Sequence, residues 1–254
     1  MTAASGLFRH VEALQGSRPW GALLDAGTGS GSIRWLQTLA TERWTAVTGA
    51  EGHARQVRDL SEARRRPGDR IVLGNWADPN LLAGETYDTV LADYLLGAID
   101  GFAPYFQERL FARLRPLTGR RLYVIGLDPY VTADEPANPA ARIVWRIGRL
   151  RDSCLLLAGE RPYREYPVEW VIDTLRRSGF EPVAAERFPI RFGERFVRAQ
   201  IAMCTPRLAR LADRALAAAL EAHGAALQAE ALALIAREGA LATGHDYVIA
   251  AKPR

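Results

Sequence analysis

From Leu23 onward, short apolar runs alternate with segments of helical spacing. Leu23-Leu24-Asp25 reads as the end of a first strand. Residues 44–48, 70–73, 87–92 and 121–126 read as four more. Between them, 55–60 and 106–114 place apolar residues three and four apart, as a helix with one buried face requires. Strand, helix and strand repeating at this spacing imply right-handed crossovers and a parallel sheet covered on both faces. After the fifth strand the rhythm changes. Residues 128–139 are rich in proline, acid and small side chains and read as a loop, and 140–157 read as a helix. A second loop, 159–167, precedes an amphipathic helix at 168–177 that Gly179 would stop. Residues 181–190 and 245–252 are the last two candidate strands. Between those strands runs an Ala/Leu-rich stretch. Thr205-Pro206 predicts an N-cap and a first-turn proline, Gly224 a break into two helices, and Gly239 the end. So apolar a stretch must bury a face. It would cover the site, pack on the sheet, or form a homodimer surface through 205–239.

A chain of 254 residues suffices for one α/β domain, 1–254, with helical insertions at about 128–167 and 205–239. No window of about eighteen residues is uninterruptedly apolar, which argues against a membrane span. Met1 to Leu7 lacks the zones of a signal peptide. Cys154 and Cys204 are distant in sequence and without metal-ligand spacing, so no metal is expected and a reduced, cytoplasmic protein is the default. The isoelectric point near 9.3 raises nucleic acid as a partner. The net charge is only +4, however, and Lys252 is the sole lysine. Arg64-Arg65-Arg66 reads as a solvated helix end. Arg142, Arg146 and Arg149 share one helix face, which is either solvated or placed to bind an acceptor's carboxylate or phosphate. Charge does not decide the partner.

The chemistry lies in the turn after the first strand, Asp25-Ala26-Gly27-Thr28-Gly29-Ser30-Gly31. Glycine there would permit positive φ and close approach of backbone to a ligand. The apolar segment from Ser32 begins a helix whose free N–H groups would point at the turn. Glu51, near the end of the second strand, is placed to hold a ribose hydroxyl. A dinucleotide fingerprint would need glycine at the sixth position from Gly27, where Ser32 stands. It also lacks an acid two residues before its first glycine.

At these residues the chain resembles the class I S-adenosylmethionine-dependent methyltransferases, whose first motif is acid-x-Gly-x-Gly-x-Gly. Asp25, Gly27, Gly29 and Gly31 match it position by position. The resemblance spans roughly residues 7–125 and implies a Rossmann-like fold with a mostly parallel seven-stranded sheet and an added helical segment. It implies S-adenosyl-L-methionine as cofactor, held by Asp25, Gly27, Thr28, Gly29 and Gly31 at its methionine part. Glu51 matches the acid for the ribose hydroxyls. Asn75-Trp76 stands where the family often has an acid for the adenine amine and an apolar neighbour against the ring; Asp78 is the alternative acid. Asp93 and Tyr94, ending the fourth strand, are implied to lie near the transferred methyl group. The segment does not match the Asp-Pro-Pro-Tyr signature of many base-amine methyltransferases, which argues against nucleic acid.

Methyl transfer from a sulfonium is an in-line displacement that asks for alignment and exclusion of water, with a base only for a protonated acceptor. Asp93, Tyr94 and Tyr130 are the expected catalytic residues; Tyr163, Tyr166 and Arg146 are expected to bind substrate. The leading expectation is a small-molecule methyltransferase with an O, N or S acceptor. The alternatives are an RNA or protein methyltransferase, an enzyme that transfers or cyclises the aminopropyl portion, and a cofactor-binding partner subunit without turnover.

Overall fold

The structure, a computed structural model, describes residues 6–254. Met1 to Ser5, which include most of the segment read for a leader and the first residues of the expected domain, lie outside the described residues. The strands are β1 (Ala22–Asp25), β2 (Arg43–Thr48), β3 (Arg70–Leu73), β4 (Tyr87–Asp93), β5 (Thr118–Leu127), β6 (Phe180–Phe192) and β7 (Leu241–Pro253). The helices of eight or more residues are α1 (Gly6–Gln15), α3 (Glu51–Ser61), α5 (Gln107–Leu114), α6 (Pro139–Leu157), α7 (Val168–Arg177), α8 (Glu194–Ala202) and α10 (Arg214–Glu238). Shorter ones are α2 (Ser30–Leu36), α4 (Leu95–Ala98) and α9 (Thr205–Leu208). All seven expected strands are present, as are the helices expected at 55–60, 106–114, 140–157 and 168–177.

The strands form one sheet in the order β3-β2-β1-β4-β5-β7-β6. The pairs β1–β2, β2–β3, β1–β4 and β4–β5 are parallel, so the carboxyl ends of the first five strands share one edge. Neighbouring β1 residues serve opposite faces. Leu24 packs with Val90, Tyr87, Phe111 and Leu122, while Leu23 packs with Ile33, Leu36, Trp44 and Val57. A strand buried on both sides has no polar alternation, which is why β1 reads as a bare apolar run.

The chain divides into two compact units. The first holds 6–127 of the described residues with Arg164–Arg187 and Tyr247–Arg254; the second is Asp128–Tyr163 with Phe188–Asp246. The second has its own core, where Ile143, Val144 and Ile147 of α6 meet Val197 of α8 and Leu227 and Leu234 of α10. Asn138 caps α6 through its side chain, which accepts from the Ala141 N–H, with Pro139 in the first turn. Gly179 (φ 82°) and Gly239 (φ 79°) end α7 and α10 in the left-handed conformation expected of C-terminal glycines.

Two expectations for the Ala/Leu-rich stretch are corrected. Gly224 does not divide it: α10 runs unbroken for 25 residues, and the interruption falls earlier, between α9 and Asp213, which caps α10 by accepting from the Leu216 N–H. Gly224 instead gives room to other helices, since a Cβ there would lie 3.3 Å from Leu150 and 3.7 Å from Ile201. Thr205 is the first residue of α9 and does not cap it; Cys204 holds the cap position. Helix α8 lies between 190 and 205, a segment to which the sequence pattern assigns no element. Cys154 and Cys204 are free and buried; burial pushes both thiols up, Cys204 to about 12. Among the described residues no helix is long and apolar enough to cross a membrane, and no group of three His, Cys, Asp or Glu could hold a metal.

The packing at Gly224 is testable. Gly224→Leu should destabilise the chain by about 2 kcal/mol through overpacking against α6 and α8. Gly224→Ala should be near neutral, because helix propensity gained offsets a contact that one Leu150 methyl can relieve. Denaturant titration of both variants checks this; equal stabilities would show that the glycine is not there for packing.

Candidate active site

The strand order reverses between β1 and β4, since the chain builds outward through β2 and β3 on one side and through β5 on the other. Loops leaving β1 and β4 therefore part at their carboxyl ends and leave a crevice, the usual ligand position in such sheets. Asp25 and the glycine turn lie on one side of it, Asp93 and Tyr94 on the other.

The turn is pinned from behind. The Ala26 N–H donates to the Leu91 carbonyl (2.8 Å) and the Thr28 N–H to that of Val47 (2.8 Å), fastening it to both neighbours of β1. The buried Thr28 hydroxyl donates to the Asp25 carbonyl at 3.1 Å. The Trp76 indole N–H donates to the Ala26 carbonyl at 2.6 Å. Trp76 is 4% exposed and belongs to the sheet core, with the Arg113 guanidinium 5.7 Å from its ring centre. Its ring, expected to offer a stacking face, is thus covered by protein and supports the turn.

The glycines divide their tasks, and one expectation about them is corrected. None of Gly27, Gly29 and Gly31 has positive φ. Their reason is space. A Cβ on Gly27 would lie 3.0 Å from the Leu95 side chain, so this glycine lets the β4 loop close against the turn. A Cβ on Gly29 or Gly31 would meet nothing within 4 Å, so these two leave backbone open. Ser32, where a dinucleotide fingerprint has its third glycine, accepts from the Gly29 N–H at 3.0 Å and donates to the Gly29 carbonyl at 3.3 Å. It stands third in α2 and caps the helix by reaching back to Gly29, a bond that glycine in its place would lose.

Asp25 itself is fully buried, and neither carboxylate oxygen has a hydrogen-bond partner. Burial raises its pKa from 3.8 to about 6, against a weaker opposing pull from Ser32, Thr28 and the Gly27 N–H. That pull is limited because the two hydroxyls bond Gly29 and the Asp25 carbonyl. A buried acceptor without a donor costs about 1–3 kcal/mol. A buried polar group left so calls for an explanation beyond packing.

The other expected residues fall as follows. Glu51 is exposed and opens α3, three residues beyond β2. Asn75 follows β3; its Nδ2 donates to the Phe102 carbonyl at 2.7 Å and its Oδ1 accepts from the Ala77 N–H at 3.0 Å. Asp78 is exposed and accepts from the Asn80 N–H at 2.9 Å. Asp93 and Tyr94 are half-buried. The Tyr94 N–H donates to the Ile125 carbonyl at 2.9 Å, and Tyr94 adopts the left-handed conformation (φ 48°, ψ 17°) as it caps α4. Such a conformation in a bulky residue is strained, and strain of this kind concentrates at functional sites. Tyr166 lies in the same unit, stacked on Trp170 at 4.1 Å, and its carbonyl accepts from the Tyr247 hydroxyl at 3.1 Å.

Tyr130, Tyr163 and Arg146 lie in the second unit. The Tyr130 hydroxyl meets the Arg151 guanidinium, and its ring lies beside Phe192 and Phe196. Tyr163 is exposed. Arg146 pairs with Glu230 of α10 at 2.7 Å, Arg142 pairs with Glu135 at 2.9 Å, and Arg149 lies 4.5 Å over the Trp145 ring. The arginine face is thus engaged within its own unit.

Sequence reasoning missed Phe102 and Asp100. Asp100 is buried; its Oδ1 accepts from the Tyr105 N–H (3.2 Å) and from Gln107 (2.8 Å). Phe102 lies against Gly49, where a Cβ would come within 2.8 Å of its ring.

No protein-family model matches the chain, and no curated protein matches it significantly. Solved structures do. One, from Bacillus halodurans C-125 and classed as a methyltransferase, shares 12% identity at a TM-score of 0.62, with 98% of this chain and 99% of that one covered. A Geobacter sulfurreducens S-adenosylmethionine-dependent methyltransferase in complex with S-adenosylhomocysteine shares 13% at 0.55, covering 98% and 90%. Mycolic acid cyclopropane synthase CmaA1, complexed with S-adenosylhomocysteine, shares 14% at 0.57, covering 96% and 83%. The chain has the class I methyltransferase fold. Within that fold Asp25 ends the first strand, and Glu51, expected at the end of the second, stands three residues beyond it.

The raised pKa of Asp25 makes a stability prediction. A carboxyl whose folded pKa exceeds its unfolded one binds its proton more tightly when folded, so native stability falls as pH rises from about 4 through about 6. Between pH 4.5 and 7.5 the wild type should lose about 2 kcal/mol relative to Asp25→Asn, which has no such group. Ligand-free denaturation at both pH values measures the difference. A constant gap would mean that Asp25 has a partner.

Proposed function

We propose that the chain binds S-adenosylmethionine at the crevice between β1 and β4 and transfers its methyl group to a small-molecule acceptor. The observation that carries this reading is the unpartnered, fully buried Asp25 carboxylate beside two glycines whose Cβ positions are open. A cofactor bearing an ammonium group and a flat nucleoside fits that donor set. Asp25 would hold the ammonium, the backbone at Gly29 and Gly31 would lie against the methionine part, and the two oxygens of Glu51 suit adjacent ribose hydroxyls. Thr28 and Trp76 hold the turn in shape and need not touch the cofactor.

Bound there, S-adenosylmethionine supplies an electrophilic methyl group on a sulfonium. The chain's own task is then to align an acceptor and exclude water. Asp93 and Tyr94, at the opposite lip, are the groups to do so: the Asp93 carboxylate takes or orients an acceptor proton, and Tyr94 is fixed in place by its bond to Ile125. Tyr166 is the further acceptor-side candidate of the same unit. A small acceptor is favoured over nucleic acid because three of the arginines that could have formed a phosphate surface pair within the chain: Arg66 with buried Asp69 at 3.0 Å, and Arg142 and Arg146 with acids of their own unit.

Gly29→Val separates fold from binding. Its backbone (φ −117°, ψ −178°) suits valine and nothing within 4 Å opposes a Cβ. Melting should be unchanged while calorimetric affinity for S-adenosylhomocysteine drops at least about tenfold, since the side chain would occupy the ligand's approach. Wild-type affinity should also weaken below about pH 6, where Asp25 takes up a proton and cannot pair with an ammonium. Binding of NAD in place of S-adenosylhomocysteine would sink the reading. Among products, S-adenosylhomocysteine marks methyl transfer and methylthioadenosine marks aminopropyl chemistry.

A further inference from the structure

The lip formed by Asp93 and Tyr94 has a neighbour on β7 that the sequence pattern does not single out. Asp93 ends β4 in register with Ile125 of β5, and the Tyr94 N–H donates to the Ile125 carbonyl at 2.9 Å. The next residue, Gly126, gives its side-chain space to Tyr247, since a Cβ there would overlap the Tyr247 ring. Tyr247 is 1% exposed and shares its core with Val168 and Val171, the first buried residues of α7. Phenylalanine would fill that core as well, whereas a tyrosine hydroxyl buried there needs a partner. Its partner is the Tyr166 carbonyl, 3.1 Å away. Tyr166 stands just outside α7, whose ladder begins at the Pro167 carbonyl accepting from Val171 at 3.1 Å, so its own carbonyl is available to Tyr247.

The segment 164–166 is also fixed at its other end. The Arg164 N–H donates to the Gly97 carbonyl of α4 at 3.1 Å, and the guanidinium lies 3.8 Å from buried Asp100. The Glu165 carboxylate occupies the space that a side chain on Gly97 would need. Helix α4 starts directly after Tyr94. Two glycines, 97 and 126, thus admit the contacts that hold one short segment against the strand ends carrying Asp93 and Tyr94.

We propose that Tyr247 is a positioning residue for the acceptor side: its hydroxyl holds the Tyr166 carbonyl, and with it the segment 164–166, in place beside Asp93 and Tyr94. This rests on the reading of those two residues as the lip that handles the acceptor. Losing one such bond costs the fold little, whereas a small misplacement of an aligning group costs a displacement reaction much.

Tyr247→Phe keeps the ring over Gly126 and removes only the hydroxyl. Its calorimetric affinity for S-adenosylhomocysteine should stay within about twofold of wild type, because β4 and β5 separate Tyr247 from Asp25. Trypsin reads the segment directly. Arg161 is followed by proline, so Arg164–Glu165 is the scissile bond there, and it should be cut severalfold faster in the variant. With a panel of small phenols, amines and thiols, S-adenosylhomocysteine formed from S-adenosylmethionine should show kcat/KM for the acceptor lowered about tenfold. Val248→Ala, which hollows the adjacent buried position of β7, is the control for stability. It should lower the melting temperature more than Tyr247→Phe while leaving the cut at Arg164 and the acceptor kcat/KM near wild type. Equal tryptic rates in wild type and Tyr247→Phe overturn the proposal. So does a Val248→Ala variant that matches Tyr247→Phe in both readouts, since the effect is then one of general stability. If the wild type turns over nothing in the panel, the proposed function falls, and the tryptic comparison still decides whether Tyr247 holds the segment.

Discussion

A single carboxylate without a partner governs how this crevice is built. Asp25 ends a strand covered on both faces, so it has no route to solvent through the sheet, and its flanking hydroxyls are turned to the backbone. Leaving such a group unpaired costs stability in the free chain. The surrounding structure holds it there regardless: Ala26 is bonded to β4 through its N–H and to Trp76 through its carbonyl, and Thr28 is bonded to β2. The bonds at Ala26 and Thr28 hold the turn to both neighbouring strands and leave the Asp25 carboxylate without a hydrogen-bond partner.

The same division between support and opening runs through the glycines. Gly27 admits Leu95, which brings the loop after β4 against the turn after β1; Gly29 and Gly31 admit nothing from the protein. One position is a close contact between the two loops, and two leave the backbone uncovered. Tyr94, in the left-handed conformation immediately before Leu95, is the backbone strain that accompanies this closure. A site whose walls are fixed by backbone hydrogen bonds and steric contact needs little reordering when a ligand enters.

What was legible in the sequence was local. The apolar runs Leu23-Leu24 and Val90-Leu91-Ala92 announce buried parallel strands because each residue's burial is written in its own side chain. The spacing from Asp25 to Gly31 announces an open turn for the same reason. What escaped was set by distance along the chain. Gly224 looks like a break until Leu150 and Ile201 are seen beside it. Trp76 looks like a stacking face until the Ala26 carbonyl, fifty residues earlier, takes its N–H. Glycine at position 29 was expected to relieve φ, but its backbone is extended and its reason is the empty space before it. Phe102 carried no signal at all, since nothing near it in sequence tells that it meets Gly49.

Asp100 shows how far one missed residue can organise a site. Its buried Oδ1 fixes the loop that carries Phe102 through Tyr105 and Gln107. Its Oδ2 faces the Arg164 guanidinium at 3.8 Å, and the Arg164 N–H donates to the Gly97 carbonyl at 3.1 Å. The Glu165 carboxylate fills the space that a side chain on Gly97 would need. These contacts lay the segment 164–166, with Tyr166 at its end, along α4 just past Asp93 and Tyr94. The loop that carries Phe102 and the segment that carries Tyr166 thus share one buried carboxylate. Breaking it would loosen both together, so changes at either place are two readouts of a single hydrogen-bond cluster.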